Sequence, residues 1–177
     1  MNEIESYKDK VKPGRETRLY NEWKMLDAAC AESSEIDYAV TKRTPSGIPI
    51  AYEITFRITS ITGVEDADAQ GFQKPVFGDR HILQITLPNN YPSADGGYPD
   101  FKFVTDVWHP NIRFFGAFKG HVCLSFENSS ASTSLAEFVG RVAAYLRYED
   151  YHAIDEAPFP EDPTVAEWAR KQWTMDN

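Results

Sequence analysis

The chain has 177 residues, with 27 acidic side chains against 18 basic ones and a formal net charge of −9. That length suits a single domain over 1–177 with a core of its own. The acidic balance argues against nucleic-acid or anionic-membrane partners, which are held mainly by clustered Lys and Arg. Two cysteines, Cys30 and Cys123, in an acidic chain whose opening MNEIESYKDK has no apolar core, read as reduced thiols of a cytoplasmic protein. No apolar run approaches a membrane-spanning length.

From Pro13 to Ala31, Leu19, Trp23, Leu26 and Cys30 recur at three- and four-residue steps, which predicts an amphipathic helix. Its other faces carry Lys12, Arg15, Arg18 and Lys24, a basic surface that reads either as a docking site or as an ordinary solvated face. Ile36, Tyr38 and Val40 alternate with polar residues, Thr44-Pro45-Ser46-Gly47 supplies a turn, and alternation resumes from Ile48 to Ile58, which predicts a β-hairpin. Ile61 to Asp79 mixes acids, glycines and a proline without a period and reads as a long loop. His81–Leu87 and Phe101–Thr105 supply two further strands, so four antiparallel strands form a meander.

Ser134-Leu135-Ala136-Glu137 has the form of a capping box opening a second helix, with Leu135, Phe138, Val139, Val142 and Leu146 on one face. Glu127–Ser132 reads as irregular, and Arg147–Glu156 is acidic and aromatic without a clear period. Asp162-Pro163 starts a third helix, Asp as N-cap and Pro in the first turn, with Val165, Trp168, Ala169 and Trp173 for packing.

The stretch His109–Leu124, HPNIRFFGAFKGHVCL, brings a rigid His-Pro-Asn turn and a thiol into one segment. The thiol is the softest nucleophile available, and a side-chain amide can stabilise an oxyanion forming on a carbonyl attached to sulfur, so the pairing points to acyl transfer. Cys123 reads as that nucleophile or as a small buried hydrophobe, whereas Cys30 on the helix stripe reads as core. His121, two residues earlier, reads as a base for the thiol or as a surface residue beside it. Asn111 reads as the oxyanion donor, as a turn former, or both. With no second His or Cys at ligand spacing, a zinc site is not expected, nor any other metal or cofactor.

The ordered set Tyr91-Pro92, Pro99, Phe101, Phe103, Thr105, His109-Pro110-Asn111, Gly120, Val122-Cys123-Leu124 and Pro158 to Pro163 resembles the catalytic domain of the ubiquitin-conjugating enzymes. The resemblance implies an α+β, UBC-like fold: an N-terminal helix, the four-stranded meander, a catalytic loop and two or more C-terminal helices. It implies a carrier that accepts the C-terminus of a ubiquitin-like protein as a thioester on Cys123 and passes it to an amine or thiol acceptor. It also places Asp162 beside the thiol, where a carboxylate could orient the incoming amine, while the N-cap role remains open. The first helix, with Arg15 and Arg18, becomes the contact for an activating enzyme, and His109 becomes a packing residue.

The chain departs from the family in three places. Cys123 lies twelve positions after Asn111, a longer spacing than usual, with the extra residues in Ile112–Lys119. ENSSASTSLAEF stands where a Trp-x-Pro-Ala run is common, and SADGGY lacks a bulky apolar tip. Those last two loops form the ligase-docking surface in the family, so the departures argue against a RING-type ligase and for a divergent, prokaryotic-type pathway. A non-catalytic binding module of the same fold is the competing reading, and a cysteine hydrolase using Cys123 and His121 is a third.

Overall fold

The structure is a computed structural model that describes residues 2–93, 96–124 and 133–172. The first helix, α1 (Arg15–Ala31), lies where the period placed it, with Leu19, Trp23, Leu26 and Cys30 buried. Burying an apolar side chain of this size stabilises the fold by roughly 1.5–3 kcal/mol, so this stripe anchors the helix. A short 3-10 helix, Ile4–Lys10, precedes it. No periodicity announces this turn, which is held by buried Ile4, by the Tyr20 hydroxyl donating to the Ile4 carbonyl at 3.2 Å, and by Tyr7 packed edge-on against Trp23.

Arg15 and Arg18, which the resemblance assigns to an activating enzyme, are half-buried and bonded within the fold. Arg15 donates to the carbonyls of Tyr91 and Pro88 at 3.1 and 2.9 Å. Arg18 pairs with Glu22 at 2.6 Å and donates to the Thr133 carbonyl at 3.1 Å. Their long stems carry the guanidinium groups across to neighbouring segments, something a helical wheel does not show. Glu22 is buried at 1 % exposure. Its carboxylate also accepts from the Tyr91 hydroxyl at 3.0 Å and from the Leu135 N–H at 2.7 Å, so a charge on α1 caps the next helix.

Six strands follow. β1 (Ile36–Arg43) and β2 (Pro49–Phe56) form the predicted hairpin, registered Ile36 to Phe56. Ile61–Asp79 is not one long loop, because β3 (Ser60–Val64) and β4 (Pro75–Gly78) pair there as a second, two-stranded sheet. The strands are short, a register shift falls between Ile61 and Gly63, and an acidic tip separates them, so no alternation of useful length survives in the sequence. β5 (His81–Thr86) and β6 (Asp100–Phe103) complete the larger sheet in the order β1-β2-β5-β6, antiparallel throughout, with the β3–β4 hairpin inserted between its second and third strands.

One face of this sheet buries Ile54, Phe56, Leu83, Ile85, Phe101 and Phe103, the alternation a pleated strand imposes. Against it packs α2 (Leu135–Leu146), with the Phe138 ring 5.4 Å from that of Phe101. Ser134 caps α2 by accepting from the Glu137 N–H at 3.1 Å, as the capping box predicts. The third helix, α3 (Pro163–Lys171), buries Val165, Trp168 and Ala169 in a smaller cluster with Ile61 and Trp108. Glu127–Ser132, Trp173 and the tip of the SADGGY loop lie outside the described residues. None of the described helices is long and apolar enough to cross a membrane.

Candidate active site

The His109-Pro110-Asn111 turn sits between β6, α2 and α3 and is held from three sides. His109 is fully buried; its Nδ1 accepts the Asn111 N–H at 3.0 Å and its Nε2–H donates to the Asp150 carbonyl at 3.1 Å. Its ring stacks on Tyr145 at 5.0 Å. Burial pulls its pKa down to about 3, helped by nearby His152 and opposed by the Asp150 bond, so it serves as a neutral structural group. The Pro110 carbonyl accepts the N–H groups of Glu161 and Asp162, both at 3.0 Å, which ties the turn to the start of α3.

The segment leading to the thiol is zipped to the same turn. The Cys123 N–H donates to the Asn111 carbonyl at 2.8 Å, and the Val122 N–H donates to Phe101 at 3.1 Å. Gly120 adopts φ +92°, and a Cβ there would lie 2.1 Å from the Phe103 carbonyl oxygen. Only glycine allows the strand end to approach β6 this closely. The residues added between Asn111 and Cys123 leave both ends in place. The Arg113 carbonyl accepts the Gly120 N–H at 2.7 Å, and Lys119 pairs with Asp106 at 2.7 Å. Phe114 and Phe115 pack on Trp108, while Phe118 at the loop's outer side is 75 % exposed.

The thiol of Cys123 is half-buried and points toward the Pro158 carbonyl, 3.9 Å away. Burial, and next the negative charge of Glu161, pushes its pKa up to about 11, so it rests protonated. His121, read as a base for the thiol or as a surface residue beside it, is exposed, and its Nδ1 pairs with Glu161 at 3.1 Å. The charge that bears on the sulfur is the Glu161 carboxylate.

Asp162 is the N-cap of α3, one of its two readings. At 1 % exposure its carboxylate accepts four backbone N–H groups: Thr164 and Val165 as the cap of α3, Phe114 and Phe115 from the inserted loop. Every lone pair that could meet an amine is already committed, and the acid that faces the thiol is Glu161.

Asn111 is fully buried, and its carboxamide reaches a residue that sequence reasoning passed over. Its Oδ1 accepts the His152 N–H at 3.0 Å, and its Nδ2 donates to His152 Nδ1 at 3.1 Å. The Tyr145 hydroxyl donates to the Cys123 carbonyl at 3.1 Å. His152 thus fixes the Asn111 carboxamide, and Tyr145 holds the cysteine backbone beside it. His152 carried no signal in the sequence beyond its chemistry, because it lies 41 residues away in a segment without a period.

Among the described residues, no group of three His, Cys, Asp or Glu side chains is placed to hold a metal ion. A cleft of about 770 Å³ opens elsewhere, between the β3–β4 hairpin and α3, walled by Val64, Val76, Phe115 and Trp168; Cys123 is not among its lining residues.

No protein-family model matches the chain. Among curated proteins, the ubiquitin-conjugating enzyme E2-22 kDa of Drosophila melanogaster is 31% identical over 94 residues, 52% of this chain and 41% of the relative. The ubiquitin-conjugating enzyme E2 27 of Arabidopsis thaliana is 31% identical over 104 residues, 57% of this chain and 47% of the relative. The match thus spans less than half the length of these relatives. Among solved structures, the ubiquitin conjugating enzyme E2 UbcA1 from Agrocybe aegerita superposes with a TM-score of 0.50 at 15% identity, over 88% of this chain and 92% of its own. Fold and sequence agree, and the chain is a divergent UBC-fold protein.

Proposed function

We propose that this chain is a conjugating-type acyl carrier in which Cys123 takes the C-terminal acyl group of a ubiquitin-like protein from an activating enzyme and delivers it to an acceptor. In the first step the Cys123 sulfur attacks the donor thioester carbonyl. A new S–C bond forms, the donor S–C bond breaks, and the proton released by Cys123 ends on the departing thiol. In the second, an acceptor nitrogen attacks the same carbonyl, the Cys123 S–C bond breaks, and the amine proton passes to the thiolate or to water. Asn111 is the proposed donor to the oxyanion of the tetrahedral intermediate in the second step.

The observation that carries the reading is Cys123 itself. A partly accessible thiol, on the fold of the conjugating enzymes, has its backbone N–H bonded to the Asn of a His-Pro-Asn turn. Its raised pKa also favours a carrier over a hydrolase. A cysteine hydrolase needs a base on the sulfur, whereas a carrier receives an acyl group already activated and holds it. The binding-module reading leaves a thiol in this position without a use. The proposed partners are the ubiquitin-like protein, an activating enzyme and an acceptor protein, in a cytoplasmic pathway and through one domain.

The test is a non-reducing gel after incubation with a cognate activating enzyme, ATP and its ubiquitin-like protein. The expected result is an adduct in the wild type that thiols dissolve, absent in Cys123→Ala and replaced by a thiol-resistant ester in Cys123→Ser. No adduct with a demonstrably active activating enzyme would move the chain to the binding-module reading.

A further inference from the structure

Between α2 and α3 the chain makes one tight turn over the thiol. Glu156 and Phe159 exchange backbone hydrogen bonds at 2.9 and 3.2 Å, so the turn is closed on itself. Within it the Pro158 carbonyl faces the Cys123 sulfur at 3.9 Å, and the Phe159 ring lies flat on the His152 imidazole, 3.9 Å between centroids and 6° from parallel. The same imidazole accepts the Asn111 amide through Nδ1, and the backbone N–H of the same residue holds the amide oxygen. His152 therefore touches both the cover of the nucleophile and the group that would stabilise its oxyanion.

The amide is held at both ends in this arrangement. Its oxygen accepts the His152 N–H and its nitrogen donates to His152 Nδ1. Turning the carboxamide toward an oxyanion on sulfur-bound carbon breaks those bonds. An acyl group reaching Sγ must first displace the Pro158 carbonyl, and lifting that turn strips Phe159 from His152. The turn is built for this, since residues 154–158 are exposed and add nothing to either core cluster, the pattern of a segment with low local stability.

We propose that His152 is a positioning residue that couples the two events, holding the Asn111 amide parked while the Pro158–Phe159 turn covers the thiol and releasing it when the turn lifts. The inference rests on the reading of Cys123 as the acyl-carrying nucleophile, but its test needs no partner protein.

Two substitutions divide the functions of His152. His152→Asn keeps an acceptor near the Nδ1 position and removes the ring, while His152→Phe keeps a ring for Phe159 and removes the acceptor. The rate at which Cys123 reacts with DTNB, in a Cys30→Ser background, reports cover. The side-chain NH₂ resonances of Asn111, in a ¹⁵N-labelled sample, report the parked amide. Loss of the stack should raise the DTNB rate about fivefold in His152→Asn and in Phe159→Ala, the factor such a contact is worth, and leave it unchanged in His152→Phe. Alkylation of the wild type with N-ethylmaleimide should shift the Asn111 NH₂ resonances, and in His152→Phe they should be shifted already.

Folding is checked in each variant by the backbone amide spectrum of the β-sheet, and Phe159→Ala, which leaves His152 intact, stands in should a His152 variant fail to fold. Equal DTNB rates across the folded variants, or Asn111 resonances that ignore alkylation, would overturn the coupling. Coupling observed in a chain that cannot be loaded by an activating enzyme would sink the carrier reading alone.

Discussion

Cys123 should be a slow thiol at neutral pH, and the size of the effect follows from its surroundings. Its pKa stands at about 11 because the sulfur is half-buried and Glu161 bears on it, against about 8.5 for a cysteine in an unfolded chain. At pH 7 the thiolate fraction is then roughly one part in ten thousand, about three-hundredfold below that of the unfolded thiol. A more basic thiolate is intrinsically more nucleophilic, which returns roughly a factor of ten. The net expectation is a native reaction with DTNB about thirtyfold slower than that of the urea-unfolded chain, with cover by Pro158 slowing it further. Cys30 is buried with a pKa likewise near 11, so the assay uses Cys30→Ser and follows thionitrobenzoate release over a range of pH, with and without urea. The same shift has a sign in stability. A thiol harder to ionise in the folded chain contributes fully below about pH 8.5, and that contribution is lost as pH rises toward 11. A native rate at pH 7 equal to the unfolded rate, or a native midpoint below about 8, would refute the reasoning and bring His121 back as an activating base.

Three further outcomes follow from the same geometry. Asn111→Ala should leave loading of Cys123 intact and slow discharge to lysine by about 10²–10³, the scale of a lost oxyanion donor. It should also cost about 1–3 kcal/mol in urea unfolding, because the His152 N–H loses its acceptor. If loading and discharge fall equally, the residue is structural. Asp162→Ala removes the acceptor of four backbone N–H groups and should cost about 3 kcal/mol, cap and loop anchor together; a loss below about 0.5 kcal/mol in urea unfolding would show the carboxylate to be free for other work. Buried His109 stays neutral down to about pH 3, whereas an unfolded histidine protonates near 6.5. Its contribution is therefore present above 6.5 and lost as pH falls toward 3. His109→Gln should flatten the acid limb of the stability curve by about 1.4 kcal/mol per pH unit in that window, read from urea titrations at several pH values, and an unchanged slope would contradict it.

Periodicity carried the elements whose apolar faces run for several turns or strands. The stripe Leu19, Trp23, Leu26, Cys30 and the alternation in β1, β2 and β5 are local facts about the chain; the structure buries the stripe and most of the apolar residues of β2 and β5, and half-buries Ile36, Tyr38 and Val40 of β1. The β3–β4 hairpin was hidden because its strands are short and irregular and its buried apolar residue, Ile61, packs with α3, which lies far along the sequence. Charged residues were the least readable. Glu22 sits on the buried side of α1 because two distant donors, the Tyr91 hydroxyl and the Leu135 N–H, converge on it, and Arg15 and Arg18 reach across to distant carbonyls for the same kind of reason.

The candidate site divides in the same way. Cys123 and Asn111 are joined by a backbone bond, as the motif implied. Asp162 was legible as a helix cap, but not its hold on Phe114 and Phe115. Glu161 and His152 were invisible because what places them at the site is the path of the chain between α2 and α3, which has no period to read.

The central claim is that Cys123 holds an acyl group for an amine rather than for water. A chase of the purified thioester tests it directly, with the adduct split between buffer alone and buffer containing free lysine and its decay followed on non-reducing gels. The account predicts an adduct that persists in buffer and discharges when lysine is added, with lysine recovered as an amide of the ubiquitin-like protein. Decay at the same rate in both, yielding only the free C-terminus, would contradict it and make the chain a hydrolase.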